Sequence, residues 1–326
     1  MLLAGDVGGT KTLLGLFVPG GGRPEVVTTR EYRTLEFSDL ATLCLQFLRD
    51  TSTPASAIDA TSFGVAGPTA GRRAQLTNVP WEVDLDALRQ HLPVARDYLL
   101  NDLEALAWSI PVLADDEIEV LHEGHRDPAG SVALIAAGTG LGVALLPNID
   151  GRLVPLASEG GHADFAPRND VEQALATALA REYGRAEIEA VISGPGLVNI
   201  HRLLSPHTCA DVAGAASADD LPAAISRAAL ESGCELCTRT LERFVSAYGA
   251  AAGNLAVTVL STGGMYLGGG IAPRILPALR WPVFLRSFFD KSPMDELIAR
   301  VPVKVILNSA AGLLGAAVRA VQVDRR

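Results

Sequence analysis

The residues best suited to chemistry near the amino terminus are the glycines, lysine and threonine of GDVGGTKT, residues 5–12. A P-loop would need Gly, four residues and Gly-Lys-Ser/Thr before a helix, whereas Thr10 separates Gly9 from Lys11 here. The next residues, TLLGLF, form an apolar run broken by a glycine, which is typical of a strand. The stretch therefore predicts a strand, a glycine turn and a second strand. Such a turn either closes a structural hairpin or holds a phosphate through backbone N–H groups.

The same pattern returns in SVALIAAGTGLGVALL, residues 131–146. A dinucleotide-binding G-x-G-x-x-G motif is excluded, because Val143 stands where the third glycine would be and no helix follows the turn. We therefore expect a duplicated β-hairpin.

Asp102 is the candidate catalytic carboxylate, because it ends a predicted strand in LLND. Residues at the carboxyl ends of strands are exposed in the ligand-binding crevice of open α/β sheets. An aspartate at this place suits an N-cap of the following helix, LEALAW, equally well. The local sequence leaves both roles open.

Two cysteines, Cys234 and Cys237, form a C-x-x-C motif, and His207 and Cys209 upstream complete four nominal zinc ligands. The stretch CELCTRTLERFVSAYG has apolar residues at three- and four-residue spacing, which predicts an amphipathic helix with both cysteines on its core face. Structural zinc pairs usually lie on tight knuckles, so no zinc is expected. Four cysteines also fit a reduced cytosol without disulfides.

Composition narrows the class of protein. The chain has 326 residues, 48% of them hydrophobic and 20% charged, and a formal net charge of −10. This balance argues against nucleic acid or an anionic membrane as the main partner, but not against ATP. Glycine clusters interrupt both uncharged runs, Ser131–Ile149 and Gly249–Pro273, so buried strands explain these runs better than membrane spans. The apolar stretch before Asp6 is too short for a signal peptide, which predicts a cytoplasmic protein.

The order of predicted elements indicates two α/β domains. The chain begins β-β-β-α-β-α-β-α, a pattern typical of a mixed sheet with helices on its faces, and Ser38 is expected to cap the first helix. It ends with a strand at 301–307 and a helix at 309–322, which we expect to pack on the amino-terminal domain. The predicted domains are residues 1–110 with the C-terminal helix 309–326, and residues 111–308.

Six motifs occur in an order that resembles the bacterial glucokinase family of the hexokinase/actin-like superfamily: GDVGGTKT, LLNDLEALAW, AAGTGLGVAL, SEGGHADFAP, EAVISGPGLVNI and GGMYLGGGIAPR. The resemblance runs nearly end to end. It is to the type without the zinc motif of the ROK branch, because Gly161 and His162 lead into ADFAP rather than into a cysteine-rich segment. It implies a two-lobed, ribonuclease H-like or actin-like fold of the hexokinase type, with duplicated β-hairpin phosphate loops.

The resemblance also implies an activity, transfer of the ATP γ-phosphoryl group to the 6-hydroxyl of glucose. Asp102 would be the general base, and Asp6 would hold Mg²⁺ directly or through water. Lys11 is left without a role. The residues that the resemblance assigns to ATP are Gly5, Asp6, Val7, Gly8, Gly9, Thr10, Gly138, Thr139, Gly140, Gly268, Gly269 and Gly270.

The sugar ligands implied by the resemblance are Asn101, Asp102, Glu159, His162 and Glu189, with backbone contacts from Gly67 and Gly138. Taken alone, His162 also fits a satisfied core histidine, and Glu189 in AEIEA fits a solvated helix face. A kinase for another hexose or an N-acetylhexosamine, a polyphosphate or ADP donor, and a catalytically silent sugar-binding regulator remain alternatives. The resemblance implies glucose and MgATP as partners and a homodimer, with no nucleic acid or membrane.

Overall fold

The computed structural model describes residues 1–76, 79–205 and 220–322, together with residues 209, 212, 215 and 217. The chain divides into two compact units. Unit 1 comprises Met1–Asp115 and Asn308–Arg326, and unit 2 comprises Asp116–Leu307. Across the described residues, none of the helices has the length and apolar character needed to cross a membrane.

Unit 1 is built on a five-stranded sheet in the order β3-β2-β1-β4-β8, beside a small sheet in the order β5-β6-β7. β1 is antiparallel to β2 and parallel to β4, and β4 is parallel to β8. The strands are β1 Leu2–Val7, β2 Lys11–Val18, β3 Glu25–Arg33, β4 Ala60–Val65, β5 Thr69–Ala70, β6 Arg73–Gln75, β7 Glu82–Asp84 and β8 Arg96–Asn101. The helices are α1 Leu40–Asp50, α2 Leu85–His91, α3 Asp102–Ser109 and α12 Ala311–Val321.

The first helix shows how local sequence determines an element of unit 1. Its predicted core-facing residues are all buried, namely Leu40, Leu43, Cys44, Phe47 and Leu48. The prediction of a Ser38 cap is wrong by one residue. The Asp39 side chain accepts a hydrogen bond from the Thr42 N–H, because a cap bonds to the backbone of the first turn and the helix begins at Leu40.

The C-terminal helix α12 packs on the amino-terminal strands, as expected. Leu313 is buried in a cluster with Leu2, Ala4 and Phe17 of β1 and β2. A Cβ at Gly315 would overlap the backbone carbonyl of Ala105 in α3, so this glycine lets α12 and α3 approach closely. Helix α12 is thereby held against the sheet that carries the first glycine turn.

Unit 2 contains a six-stranded sheet in the order β14-β11-β10-β15-β16-β9 and a small pair, β12-β13. Its strands are β9 Ile118–His122, β10 Val132–Ala137, β11 Leu141–Leu146, β12 Asn148–Ile149, β13 Arg152–Leu153, β14 Leu156–Ser158, β15 Gly264–Gly268 and β16 Val303–Ile306. Its helices are α4 Asp170–Tyr183, α5 Gly194–Leu204, α6 Leu221–Arg227, α7 Glu235–Val259, α8 Ile271–Arg274, α9 Leu276–Leu279, α10 Pro282–Phe289 and α11 Asp295–Ile298.

The 25-residue helix α7 forms the centre of the unit 2 core. Its Phe244 and Tyr248 rings pack edge to face, and Tyr248 makes a second such contact with Phe284 of α10. The Tyr248 hydroxyl donates to the carbonyl of Ile135 in β10, which satisfies a buried polar group. This core fixes β10, the strand that leads into the second glycine turn.

The two main sheets repeat one strand plan. In each, a hairpin is followed by a strand that is parallel to the first strand of the hairpin: β4 beside β1, and β15 beside β10. The predicted α/β class with a duplicated hairpin is confirmed. The segment 254–271, expected to be a helix or a strand pair, contains the end of α7 at Val259 and then β15 from Gly264.

Candidate active site

The first glycine turn joins β1 to β2 and is held by short hydrogen bonds. The Gly8 N–H donates to the Lys11 carbonyl at 3.0 Å. The Thr34 hydroxyl donates to the Gly8 carbonyl at 2.7 Å and lies 2.9 Å from the buried Thr12 hydroxyl. Because the Gly8 N–H is used within the turn, Gly9 and Thr10 are the better candidates to donate to a phosphate. Sequence analysis missed Thr34, since a threonine after a strand carries no distinctive signal.

Two carboxylates lie near this turn in unit 1. Asp6 is half-buried in β1, and Asp102 begins α3 directly after β8. Burial, and secondly the negative charge of Asp102, raise the pKa of Asp6 to about 6. Above that pH the site holds negative charge that a cation would stabilise.

Strand register places Asn101 and Asp102 at the same edge of the sheet as the first turn. Val7 of β1 is level with Val65 of β4, and Val65 is level with Asn101 of β8. The Asn101 side-chain carbonyl caps α3 by accepting from the Glu104 N–H at 2.7 Å. The helix cap considered for Asp102 therefore belongs to Asn101. The Asp102 carboxylate instead accepts from the Leu103 N–H at 2.9 Å.

Two further glycines shape this part of unit 1. Gly312 of α12 comes so close to Asp6 that an added Cβ would lie 3.0 Å from its Oδ2. Gly67 has φ of +153° and lies against the carbonyl of Gln75, so it requires glycine on both grounds. Sequence analysis identified Gly67 but missed Gly312, which could have been found as a small residue near the start of the last helix. Lys11, left without a role, pairs with Glu31 at 2.7 Å on the surface.

The second glycine turn, in unit 2, has its own carboxylate partner. The Gly138 N–H donates to the Gly140 carbonyl at 2.8 Å, which closes the turn. Glu189 Oε2 accepts from the Leu141 N–H at 2.7 Å, and an added Cβ at Gly140 would lie 2.6 Å from this oxygen. Glu189 precedes α5, whose cap is Ser193, so it does not belong to a solvated helix face.

Glu159 immediately precedes a 3-10 turn over Gly160–His162, and His162 is the last residue of that turn. Gly161 packs on the Leu141 carbonyl so tightly that a Cβ would overlap it, which brings this turn beside the second hairpin. The His162 side chain is 49% exposed, so it is not a core histidine. Its Nδ1 lies 3.2 Å from Oε2 of Glu187.

Sequence analysis missed Glu187 and Arg185, which surround His162. Arg185 donates to the His162 carbonyl at 2.6 Å and to Glu187 at 2.9 Å, and it also pairs with Asp164 at 3.1 Å. The only signal in the sequence was the alternation of charged residues in RAEIE, residues 185–189.

The third glycine region follows β15 in unit 2. Gly269 has φ of +79° and lies against the backbone of Ala137, the last residue of β10. The Gly194 N–H at the start of α5 donates to the Gly138 carbonyl at 2.8 Å. Glu189, Gly161 and Gly269 therefore contact the hairpin that carries Gly138, Thr139 and Gly140. Among the other predicted residues, Glu159 and His162 lie within two residues of Gly161 in the chain, and Gly268 and Gly270 adjoin Gly269.

The cysteine motif differs from its predicted setting. Helix α7 begins at Glu235, so Cys234 stands at its N-cap, outside the helix, and Cys237 lies in the first turn. Cys209 lies near both of them. The fourth nominal ligand, His207, lies outside the described residues.

Comparison with known proteins defines the class. The crystal structure of a glucokinase from an Antarctic psychrotroph superposes with a TM-score of 0.86 at 27% identity, covering 98% of each chain. A ROK family glucokinase from Streptomyces griseus, in complex with glucose and AMPPNP, shares the fold with a TM-score of 0.64 at 22% identity, covering 98% of this chain. The chain has the actin-like ATPase fold of the sugar kinases, which confirms the predicted fold.

The sequence comparison is more specific. The profile of the family described as Glucokinase matches residues 3–323. A glucokinase of Synechocystis sp. is 39% identical over 98% of this chain and 98% of its own length. The chain belongs to the glucokinase family.

Proposed function

We propose that this chain transfers the γ-phosphoryl group of ATP to the 6-hydroxyl of glucose, with Asp102 as the general base. The observation that carries the proposal is the juxtaposition, at one sheet edge, of a glycine turn with two carboxylates whose charges repel. Phosphoryl transfer needs phosphate oxygens held by backbone donors, a cation, and one carboxylate beside the attacking hydroxyl. Unit 1 supplies the residues for each of these requirements.

In this proposal Asp6 holds Mg²⁺, directly or through a water molecule. A carboxylate oxygen is a preferred ligand of Mg²⁺. Burial and the charge of Asp102 disfavour the ionised form of Asp6, and a bound cation would offset that cost. When bound, Mg²⁺ supplies positive charge toward the phosphoryl oxygens. Gly9 and Thr10 donate backbone N–H groups to the phosphates, and the Thr34 bond to Gly8 keeps the turn in shape.

The proposed sugar ligands act in two sets. Asn101 accepts from the Glu104 N–H through its carbonyl, so its amide NH₂ is the group that donates to a sugar hydroxyl. Glu159, His162 and Glu189 supply acceptors and a ring nitrogen from unit 2. Gly67 and Gly138 contribute backbone contacts to the sugar.

Asp102 takes the proton of the 6-hydroxyl as that oxygen attacks the γ-phosphorus, and the bond from the γ-phosphorus to the bridging oxygen breaks to release ADP. The Asp102 carboxylate is oriented by the Leu103 N–H, which donates to it at 2.9 Å, while Asn101 caps α3. The nucleotide base and ribose are assigned to Gly268, Gly269 and Gly270, next to the second turn. We further propose a cytoplasmic homodimer, and a solution mass near that of one chain would contradict the dimer.

A single coupled assay tests the proposed function. The full-length chain is given ATP, ADP or polyphosphate as donor, and glucose, mannose, fructose or N-acetylglucosamine as acceptor. We expect the highest kcat/KM for ATP with glucose, with dependence on Mg²⁺. A higher value for another acceptor would reassign the substrate. Sugar binding without turnover by any pair would favour the silent regulator.

A further inference from the structure

Three of the four cysteines converge in unit 2, outside the proposed active site. Cys209 Sγ lies 3.3 Å from Cys234 Sγ and 3.4 Å from Cys237 Sγ. All three sulfur atoms lie within 4.8 Å of one another. The fourth cysteine, Cys44, is buried in the core of unit 1, in a different cluster of side chains.

The local backbone makes this arrangement possible. A π-helical turn over Ala228–Ser232 ends at Gly233, which has φ of +68° and so lies in the left-handed region. Cys234 follows as the N-cap of α7, and Cys237 lies three residues on, so both side chains project from the amino-terminal end of a long helix. Cys234 therefore lies outside the helix, whereas the sequence predicted both cysteines within it.

The three sulfur atoms are soft ligands, and their surroundings favour a soft metal cation. Cys237 is buried, Cys209 and Cys234 are partly exposed, and all three belong to or pack against the apolar core of unit 2. The amino-terminal end of α7 carries a partial positive charge that stabilises thiolates.

We propose that Cys209, Cys234 and Cys237 bind one thiophilic metal cation, Zn²⁺ or Cu⁺, through three sulfur atoms. A Zn–S bond of about 2.3 Å implies sulfur atoms roughly 3.8 Å apart around one ion. The observed 3.3 and 3.4 Å therefore require only a small outward movement of the side chains. Each thiol releases its proton to solvent on binding, so one ion displaces three protons.

A disulfide is the competing use of the same sulfurs. It would join only two of them and leave the third as a thiol, whereas an ion engages all three. The bound ion would tie Cys209, which lies between α5 and α6, to the start of α7. Its expected effect is therefore on the stability of unit 2, separate from phosphoryl transfer.

Metal titration of the full-length chain tests the proposal. The protein, reduced and freed of metal, is titrated with Zn²⁺ against a chromophoric chelator and, in a parallel arm, with Cu⁺ against bicinchoninate. We expect one equivalent to bind and the melting temperature of the holoprotein to rise in at least one arm. Substitution with Co²⁺ should give sulfur-to-metal charge-transfer absorption, which a site of oxygen and nitrogen ligands would not produce.

Single variants assign the ligands. Cys209→Ala and Cys234→Ala should each weaken binding about a hundredfold or more, because one of three strong bonds is lost. Cys44→Ala is the matched control and should bind like the parent. Cys209 and Cys234 are partly exposed, so these two variants are the least disruptive to folding. Equal binding by all variants, no binding in either arm, or a disulfide among the three cysteines in the protein as isolated would overturn the proposal.

Discussion

The two hairpins share a strand plan but differ in where they place a carboxylate. In unit 1 the penultimate residue of β1 is Asp6, and in unit 2 the equivalent residue of β10 is Ala136. The second turn acquires its carboxylate from another segment, because Glu189 reaches the Leu141 N–H beside Gly140. One backbone plan therefore supports two different electrostatic settings.

The difference lies in how each charge is compensated. Partial burial and, secondly, the like charge of Asp102 raise the pKa of the half-buried Asp6, whereas Glu189 accepts a short backbone hydrogen bond. A carboxylate with a raised pKa, such as Asp6, is suited to binding a cation and taking part in catalysis. A carboxylate held by a backbone hydrogen bond, such as Glu189, is suited to holding a ligand in a fixed position. We therefore expect substitutions of the unit 1 carboxylates to lower kcat or kcat/KM for MgATP. Substitutions around the second turn should instead raise KM for the sugar.

The largest effect is expected from Asp102→Asn. The amide cannot accept the hydroxyl proton, so kcat should fall on the order of 10²- to 10⁴-fold, while glucose binding changes little. Steady-state kinetics and calorimetric glucose binding measure the two effects. Asp86→Asn, an exposed carboxylate on α2 that pairs with Arg72, is the control. Near-normal turnover by Asp102→Asn would remove Asp102 from the role of base.

Asp6→Asn is expected to have the next largest effect. Loss of the charged oxygen ligand should lower kcat/KM for MgATP about tenfold to a hundredfold, as losses at metal sites do. Titration of Mg²⁺ at fixed ATP measures this loss. An unchanged Mg²⁺ requirement would place the metal elsewhere.

The same variant should stabilise the ligand-free protein, with a defined pH dependence. The folded pKa of about 6 exceeds the ordinary 3.8, so the folded state holds the proton more tightly than the unfolded state. Protonated Asp6 therefore stabilises the folded state, and this stabilisation is complete below about pH 4 and is lost as pH rises through about 6. The free energy of unfolding falls by at most roughly 3 kcal/mol over this range. Asn mimics the protonated form. Thermal unfolding should therefore show Asp6→Asn more stable than the parent at pH 8 and equal to it at pH 4, and the reverse order would contradict the assigned charge.

Much of the fold follows directly from the sequence because its signals are local. Alternating and continuous apolar runs predicted β1, β2, β10 and β11, and helix periodicity predicted every core-facing residue of α1. The two glycine turns predicted the duplicated β-hairpin, and one copy lies in each of the two main sheets. Motifs in a fixed order predicted the family.

The sequence did not reveal contacts made between distant segments. Gly312 approaches Asp6 from the other end of the chain, and Glu187 meets His162 only because two loops pair through the Asp164–Glu187 bridge. The cap of α3 also went to Asn101 rather than Asp102, since a one-residue difference in helix start decides which side chain faces the backbone N–H groups.

Gly140→Ala tests the setting of the second turn. The added methyl would lie 2.6 Å from Glu189 Oε2, the end of a flexible side chain, so the carboxylate should move and release the Leu141 N–H. Because Glu189 is a proposed sugar ligand, we expect KM for glucose to rise roughly tenfold, with kcat within a few-fold and little loss of stability. KM for ATP is measured in parallel, because Gly140 is also assigned to the nucleotide. Gly21→Ala, where a Cβ meets no atom within 4 Å, is the control. A fall in kcat at unchanged KM would contradict the division of roles between the turns.

The smallest effect is expected from Glu187→Gln, which tests whether unit 2 orients its histidine. The carboxylate of Glu187 lies 3.2 Å from His162 Nδ1, and both side chains are partly exposed. An exposed pair contributes up to about 1 kcal/mol, so KM for glucose should rise about twofold to fivefold while kcat is retained. Asp164→Asn is the matched control, because the Asp164 carboxylate also pairs with Arg185, whereas the carboxylate beside the His162 ring is that of Glu187. Equal changes in both variants would show that Arg185, rather than the carboxylate–histidine contact, positions the loop. A change confined to Glu187→Gln would show that unit 2 holds its sugar ligands by mutual hydrogen bonding, in contrast to the repelling carboxylates of unit 1.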